Sequence, residues 1–398
     1  MRISTQTLFG ASTATLQKQQ AEFLRVGQQL ASGKRVLKPS DDPLASSRAL
    51  EVSQSKAVAE QYVAARVGAR NALSQQEQVL NSISDAITRA KTLTVQAASD
   101  TLTPVDRASI AAELRGVLET VLGQANAADG NGRYLFGGFQ DDSPPFVRAA
   151  DGTVMYVGDD NAQMLRIDDA RLMVVGENGV RVFQSVQAGA GYIASAPPSN
   201  TGTLTFTGPL VLDSTAPGYG DAFTIAFTVV GDAIGYSING APAQPWQLGE
   251  SIALSGLSIE LEGLPADGDR LVVAPALASN SDLFATLNNL INVLEDPGQT
   301  SADKARMRNT LSTSMRELDN ALDNILTVRA SVGAKLNELD TVDEVAGNRI
   351  LNYEQTLSQL VDFDLVKGIS DYSLRQMGLE ASQKAFVDIT RMSLFNFL

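Results

Sequence analysis

The sequence predicts an α+β fold: a long antiparallel coiled-coil helical hairpin or bundle built from both chain ends, with an inserted all-β outer domain. Three observations predict it. From Leu311 an apolar row recurs every seven residues through Leu318, Ile325, Val332, Leu339, Ala346, Tyr353 and Leu360, beside a companion row of Met315, Leu322, Arg329, Leu336, Asp343, Ile350 and Leu357. Two interleaved sevens form a stripe that another helix must cover. The N-terminal region carries a partner pattern, with Leu73, Leu80, Ile87 and Thr94 in one row and Gln76, Ile83, Ala90 and Ala97 in the other. Between these regions the heptads vanish, and short runs of β-formers alternate with Gly and Pro.

The elements follow in order. Leu16, Phe23 and Leu30 recur at sevens and mark a first helix that breaks at Gly33. Lys38-Pro39-Ser40 is an extended joint, and Asp42-Pro43 restarts a helix with Asp as N-cap and Pro in the first turn. No proline intervenes before Ser99, so this helix runs to ~55 residues, roughly 80 Å at 1.5 Å per residue. After a turn at 100–104, a second helix runs to about Ala128 with Ile110, Leu114, Val117, Val121 and Ala125 on one face. It can fold back on its predecessor as an αα-hairpin.

The glycines of the 130–138 segment end the helical run. Strands are expected at 153–157, 164–167, 172–175, 204–207, 223–229, 234–238, 257–262 and 271–274, with turns at Asn239-Gly240 and Asp267-Gly268. Residues 194–200 read as a joint dividing this region into two subdomains. Helix returns at 282–294, and the long heptad helix runs to about Val361. A last helix from Leu365 carries Ile369, Tyr372, Leu379 and Phe386 and leads to Phe395, Phe397 and Leu398.

The expected organisation is therefore terminal helices at 1–41 and 365–398, a helical bundle at 42–137 and 282–364, and a β-rich insert at 138–281. The terminal helices are either a self-contained hairpin or segments that order fully only when copies pack together. On the second reading, the assembly residues are Leu16, Phe23, Leu30, Ile369, Leu379, Phe386, Phe395, Phe397 and Leu398. Gly33 and Pro39 shape the joint. Arg329 and Asp343, charged residues in an apolar row, either snorkel to solvent or meet opposite charges across the seam and fix register.

Composition excludes several classes of function. The 398 residues are 44% hydrophobic, enough for buried cores. With 31 basic and 45 acidic residues the net charge is −14, which repels nucleic acid. Cysteine and histidine are both absent, so a disulfide framework, a thiolate nucleophile and a Ser-His-Asp triad are excluded. The longest apolar window, 222–230, is too short to span a bilayer. The N-terminus has no basic region followed by an apolar one, so no cleavable secretory signal is expected, and any export would take a route that needs none. The acidic pairs Asp41-Asp42, Asp141-Asp142, Asp159-Asp160 and Asp168-Asp169 lack calcium-loop spacing and read as caps and Asx turns. No catalytic, cofactor or metal site is expected.

The stretch Ala31-Ser32-Gly33-Lys34-Arg35-Val36-Leu37-Lys38-Pro39-Ser40-Asp41-Asp42-Pro43 resembles the N-terminal signature of bacterial flagellin-like axial proteins. In its Lys-Pro-Ser-Asp-Asp-Pro form it most resembles the hook–filament junction branch of that family. Asn131-Gly132-Arg133-Tyr134-Leu135-Phe136-Gly137-Gly138, followed by Pro144-Pro145-Phe146, is similar to that branch's entry into its outer domain. Tyr156-Val157-Gly158-Asp159 and Gly268-Asp269 fit the same domain. The resemblance covers roughly 1–160 and 280–398 and weakens through 190–270, where the chain looks longer than a minimal member.

The resemblance implies an extracellular structural subunit, exported unfolded through the flagellar type III apparatus with its chaperone. Its terminal helices would form an inner tube, its long hairpin a middle shell and its β insert the outside. Copies would form a ring in the helical axial lattice, between the first hook-associated protein and flagellin. Two other readings stay open: flagellin itself, and an axial protein with an enzymatic or adhesive insert.

Overall fold

A computed structural model describes residues 5–395 except 188, 280 and 281. In chain order the elements are α1 (Thr5–Ser32), α2 (Pro43–Ala97), α3 (Pro104–Ala125), β1 (Phe146–Arg148), β2 (Val154–Tyr156), β3 (Gln163–Asp168), β4 (Arg171–Gly176) and α4 (Gly179–Phe183). They continue with β5 (Tyr192–Ser195), β6 (Thr205–Val211), β7 (Phe223–Val230), β8 (Ala233–Ile238), β9 (Gln244–Pro245), β10 (Ile252–Leu254), β11 (Leu257–Glu262) and β12 (Arg270–Pro275). The helices α5 (Leu283–Glu295), α6 (Ser301–Val361) and α7 (Leu365–Phe395) complete the chain. The chain forms two compact units, one of residues 1–64 and 341–398 and one of residues 65–340.

The larger unit is organised on the antiparallel pairing of α2 with α6. Along α2, Leu73, Leu80, Ile83, Ile87, Ala90 and Ala97 are buried; along α6, so are Leu311, Leu318, Ile325, Val332 and Leu339. Ion pairs lace the pairing: Arg70–Asp340 at 2.5 Å, Glu77–Arg329 at 2.8 Å and Lys91–Asp319 at 2.5 Å. Arg329 therefore meets an opposite charge across the seam; both its Nε and Nη2 donate to Glu77 Oε1, at 3.1 and 2.8 Å.

The companion row on α6 differs from expectation by one residue. Met315, Leu322, Arg329, Leu336 and Asp343 are only half-buried. The buried row is Ser314, Val328 and Val342, with Ala321 and Lys335 half-buried between them. The cause is what packs there. Beside α6 lies the α4 segment: Asn324 Nδ2 donates to the carbonyls of Arg181 and Val182, both at 2.9 Å. Lys335 Nζ pairs with buried Glu177 at 2.9 Å. A helix serving two neighbours buries a wider, rotated stripe.

The shorter helices begin where their caps dictate. Thr103 and Asp106 form a reciprocal capping box at α3, with Pro104 in the first turn. Asp282 caps α5 by accepting from the Phe284 and Ala285 amides. Two antiparallel hairpins, β1–β2 and β3–β4, join the helical core instead of forming one of their own. Their anchor is an aromatic cluster: Phe146 lies 5.1 Å from Phe183 and 5.0 Å from Phe284, and Phe136 lies 5.3 Å from Phe183. Ring pairs at these separations prefer the tilted and edge-on geometries seen here.

A second core belongs to residues 192–273. Among the described residues the sheet β5-β12-β7-β8-β9 and the sheet β10-β11-β6 enclose Phe206, Phe227, Trp246, Ile259 and Leu271. On β7 the alternation is direct, with Phe223, Ile225 and Phe227 buried and their neighbours not. The break between the two cores lies between Phe183 and Tyr192, upstream of the joint expected at 194–200. Tyr192–Ser195 is a strand, β5, paired with β12.

Helix α6 also holds the second β region. Asn309, itself buried, donates to Leu204 O at 2.9 Å and accepts from Phe206 N at 3.2 Å, so its side chain serves the edge of β6 as a neighbouring strand would. Thr313 Oγ1 donates to Ala194 O at 2.7 Å. Removing the Asn309 amide leaves two backbone groups unpaired beside α6. Asn309→Ala is expected to cost about 1–3 kcal/mol in urea unfolding, read by the fluorescence of Trp246 in the second core.

Candidate assembly surfaces

The joint between α1 and α2 is built by hydrogen bonds to the joint between α6 and α7. Gly33 ends α1 with φ +68°, a conformation costly for any residue with a Cβ. The chain then lies antiparallel to 361–363: Arg35 N donates to Val361 O at 2.7 Å, and Phe363 N donates to Gly33 O at 2.9 Å. The Arg35 guanidinium donates to Leu360 O at 2.7 Å and to Asp42 Oδ2 at 2.9 Å. Gln29 Nε2, from the last turns of α1, donates to Arg35 O.

Each expected joint residue has a definite task. Pro39 lies in the turn closed by Asp41 N donating to Lys38 O at 2.9 Å. Asp41 Oδ2 accepts from the amides of Lys38 at 2.9 Å and Leu37 at 3.1 Å. Asp42 Oδ1 accepts from Ala45 N at 3.0 Å, the N-cap of α2, with Pro43 as first helical residue. Donation from Lys38 N–H, then Leu37 N–H, holds the Asp41 carboxyl below its ordinary range. Ala45 N–H, followed by the Arg35 side chain, does the same for Asp42.

The terminal helices α1 and α7 pair antiparallel. Phe9 stacks near Phe386 at 5.2 Å between ring centres, Phe23 near Tyr372 at 4.7 Å, and Arg375 pairs with Glu22. Leu16, Phe23, Leu30, Leu379 and Phe386 are half-buried, whereas Ile369 is 56% exposed. Phe395 ends α7; Phe397 and Leu398 lie outside the described residues. Pairing does not cover the apolar surface: Val366 is 80% exposed, and Leu24, Leu365, Leu374, Met377 and Val387 are also exposed. The expectation from heptads named Ile369 but missed Val366, Leu374 and Met377, which do not keep a seven-residue spacing with it.

The 130–138 segment is structural at close range. Phe136 is fully buried in the aromatic cluster, and its carbonyl accepts from Gly179 N at 2.9 Å. A Cβ at Gly137 would lie 2.6 Å from Gln140 O, and one at Gly138, where φ is +65°, would lie 2.3 Å from Asp159 O. Tyr134 is half-buried, its N–H donating to Asp141 O at 2.9 Å.

Comparison with known proteins agrees with this architecture. Residues 3–141 match the bacterial flagellin N-terminal helical region. The chain is 32% identical over 396 residues, 99% of each chain, to flagellar hook-associated protein 3 of Escherichia coli strain K12, and 31% identical to that of Salmonella typhimurium over the same share. The crystal structure of Xanthomonas campestris FlgL covers 77% of this chain and 99% of its own, with 28% identity and a TM-score of 0.68. The flagellar junction protein FlgL of Legionella pneumophila covers 79% and 100%, with 26% identity and a TM-score of 0.66.

The two depressed carboxyls give the joint a pH dependence with a definite sign. A folded-state value below the unfolded 3.8 stabilises above 3.8, and that stabilisation is lost as pH falls through the folded values. Protection factors of the Lys38 and Ala45 amides, corrected for intrinsic exchange, are expected to fall as pH drops below 3.8. Asp41→Asn and Asp42→Asn should lower them already at pH 7.

The match over nearly the whole length extends the resemblance read in the terminal segments, and places the chain in the external flagellum as an associate of other axial components. This chain belongs to the family of flagellar hook-associated protein 3, the structural adaptors of the hook–filament junction.

Proposed function

We propose that this chain is a non-catalytic ring subunit of the axial lattice, seated on the first hook-associated protein and presenting a distal face on which flagellin packs. Export is unfolded, through the flagellar type III apparatus with a dedicated chaperone. In this reading residues 1–41 and 365–398 form the inner shell and complete their order on assembly. Residues 42–137 and 282–364 form the next shell, and 138–281 face outward.

The observation that carries the reading is the apolar band left exposed on the paired α1 and α7. Surfaces of this kind mark sites where another protein packs. Within one chain α7 already has α1 as partner, so the remaining band is available to neighbours in the lattice.

A double substitution, Val366→Glu with Met377→Glu, tests that band. Both side chains are exposed, so the thermal midpoint should stay within a few degrees of the parent. Cells carrying the variant are expected to export it yet to lack filaments. Normal swimming would overturn the reading. Deleting the gene separates roles: hooks without filaments and flagellin spilled into the medium support an adaptor. Filamentless cells with no flagellin in the medium would identify the filament subunit instead.

A further inference from the structure

Three Asn-Gly pairs occur in the sequence: Asn131-Gly132, Asn178-Gly179 and Asn239-Gly240. In such a pair the glycine nitrogen can reach the asparagine Cγ, because no side chain stands in its path. Once deprotonated, that nitrogen attacks Cγ. The Cγ–Nδ2 bond breaks, ammonia leaves and a cyclic imide closes. Water then opens the ring at either carbonyl, leaving aspartate or isoaspartate. Nothing is oxidised or reduced, and water is the only co-reactant. Closure requires the side chain to swing onto the nitrogen, so an anchored amide resists it.

The fold anchors the three amides unequally. Asn178 Oδ1 caps α4 by accepting from Arg181 N at 2.8 Å, and its Nδ2 donates to Asp160 O at 2.5 Å. Asn239 Oδ1 accepts from Thr224 N at 2.7 Å while its Nδ2 donates to Ala222 O at 3.1 Å, which ties both ends of the amide to the entry of β7. Asn131 is exposed. Its side chain makes one hydrogen bond among the described residues, Nδ2 donating to Asp129 Oδ2 at 3.3 Å, which is longer than an ordinary N–H···O bond. The attacking nitrogens do not separate Asn131 from Asn178: Gly132 N donates to Asp129 O at 3.0 Å, and Gly179 N to Phe136 O at 2.9 Å. The side-chain anchors therefore set the order.

We propose that Asn131 is a site of spontaneous modification, the first of the three asparagines to convert to aspartate and isoaspartate in the folded chain. The product adds a carboxylate beside Asp129. In its isoaspartate form it also lengthens the backbone inside the turn closed by Asp129 N donating to Arg133 O at 2.7 Å. That turn leads from α3 to buried Phe136. The reaction is a property of the single chain and independent of the adaptor reading.

The full-length chain is incubated folded at mildly alkaline pH, and its tryptic peptides are followed by tandem mass spectrometry for the amide-to-acid mass gain at each asparagine. Conversion at Asn131 is expected to be about tenfold faster than at Asn178 or Asn239, the factor that about 1.4 kcal/mol in the barrier gives. In urea, where the anchors are gone, the three are expected to react at similar rates. An Asn131→Gln chain should lose the fastest acidic variant seen by ion exchange of the intact protein. The proposal is overturned if Asn178 or Asn239 converts as fast as Asn131 in the folded chain, or if that variant survives in Asn131→Gln. An undiminished lead of Asn131 in urea would overturn it equally, because the fold would then not set the order.

Discussion

The apolar seam between α2 and α6 is the interaction on which the larger unit depends. Leu73, Leu80 and Ile87 on one helix and Leu318, Ile325, Val332 and Leu339 on the other are almost wholly withdrawn from water. Each contributes roughly 1.5–3 kcal/mol of transfer free energy. Neither helix can bury such a face alone. The α3–α5 layer, the two small hairpins and the aromatic cluster all share this core. The seam's ion pairs contribute little individually where exposed; their value is in register. Arg329 against Glu77 is the best placed of them, being partly buried and donating twice to one carboxylate oxygen.

In the smaller unit, specificity comes from backbone groups. Two helix ends meet with their unpaired amides and carbonyls satisfied by each other's joints, and Arg35 reaches both sides by donating to Leu360 O and Asp42. Asp41 and Asp42 complete the arrangement by accepting from three amides at the start of α2 and its turn. The joint is thereby a hydrogen-bonded unit, while the helices it connects keep apolar surface exposed. That division suits a subunit whose bends must be set before its faces are covered.

The helices were legible because their signals are long and mutually consistent. An Asp-Pro start and an uninterrupted run fixed α2 within two residues, and the heptads placed α6. Of the strands of three residues or fewer, β2 fell within the strand expected at 153–157, whereas β1, β9 and β10, like the five-residue α4, carry too little periodicity to show. Strand β5 was hidden because Tyr192–Ser195 runs into Ala-Pro-Pro, which reads as loop. The second row on α6 was misplaced by one residue, since spacing alone does not reveal that the α4 segment shares the helix with α2. At the joint, the motif exposed Asp41, Asp42 and Pro43, but the role of Arg35 was invisible, its acceptor lying 325 residues away.

The wide separation along the chain of the two seam helices has a kinetic consequence. Leu80 and Leu318 lie on opposite sides of an insert that folds around a core of its own. Closing so long a loop carries an entropic cost that only the completed seam offsets. Non-local pairing of this kind slows folding. Made N-terminus first, the chain holds α2 without its complement until synthesis reaches α6, which begins at Ser301 of 398 residues. High contact order thus acts as a clock: the seam cannot close until α6, the last helix but one, has been made.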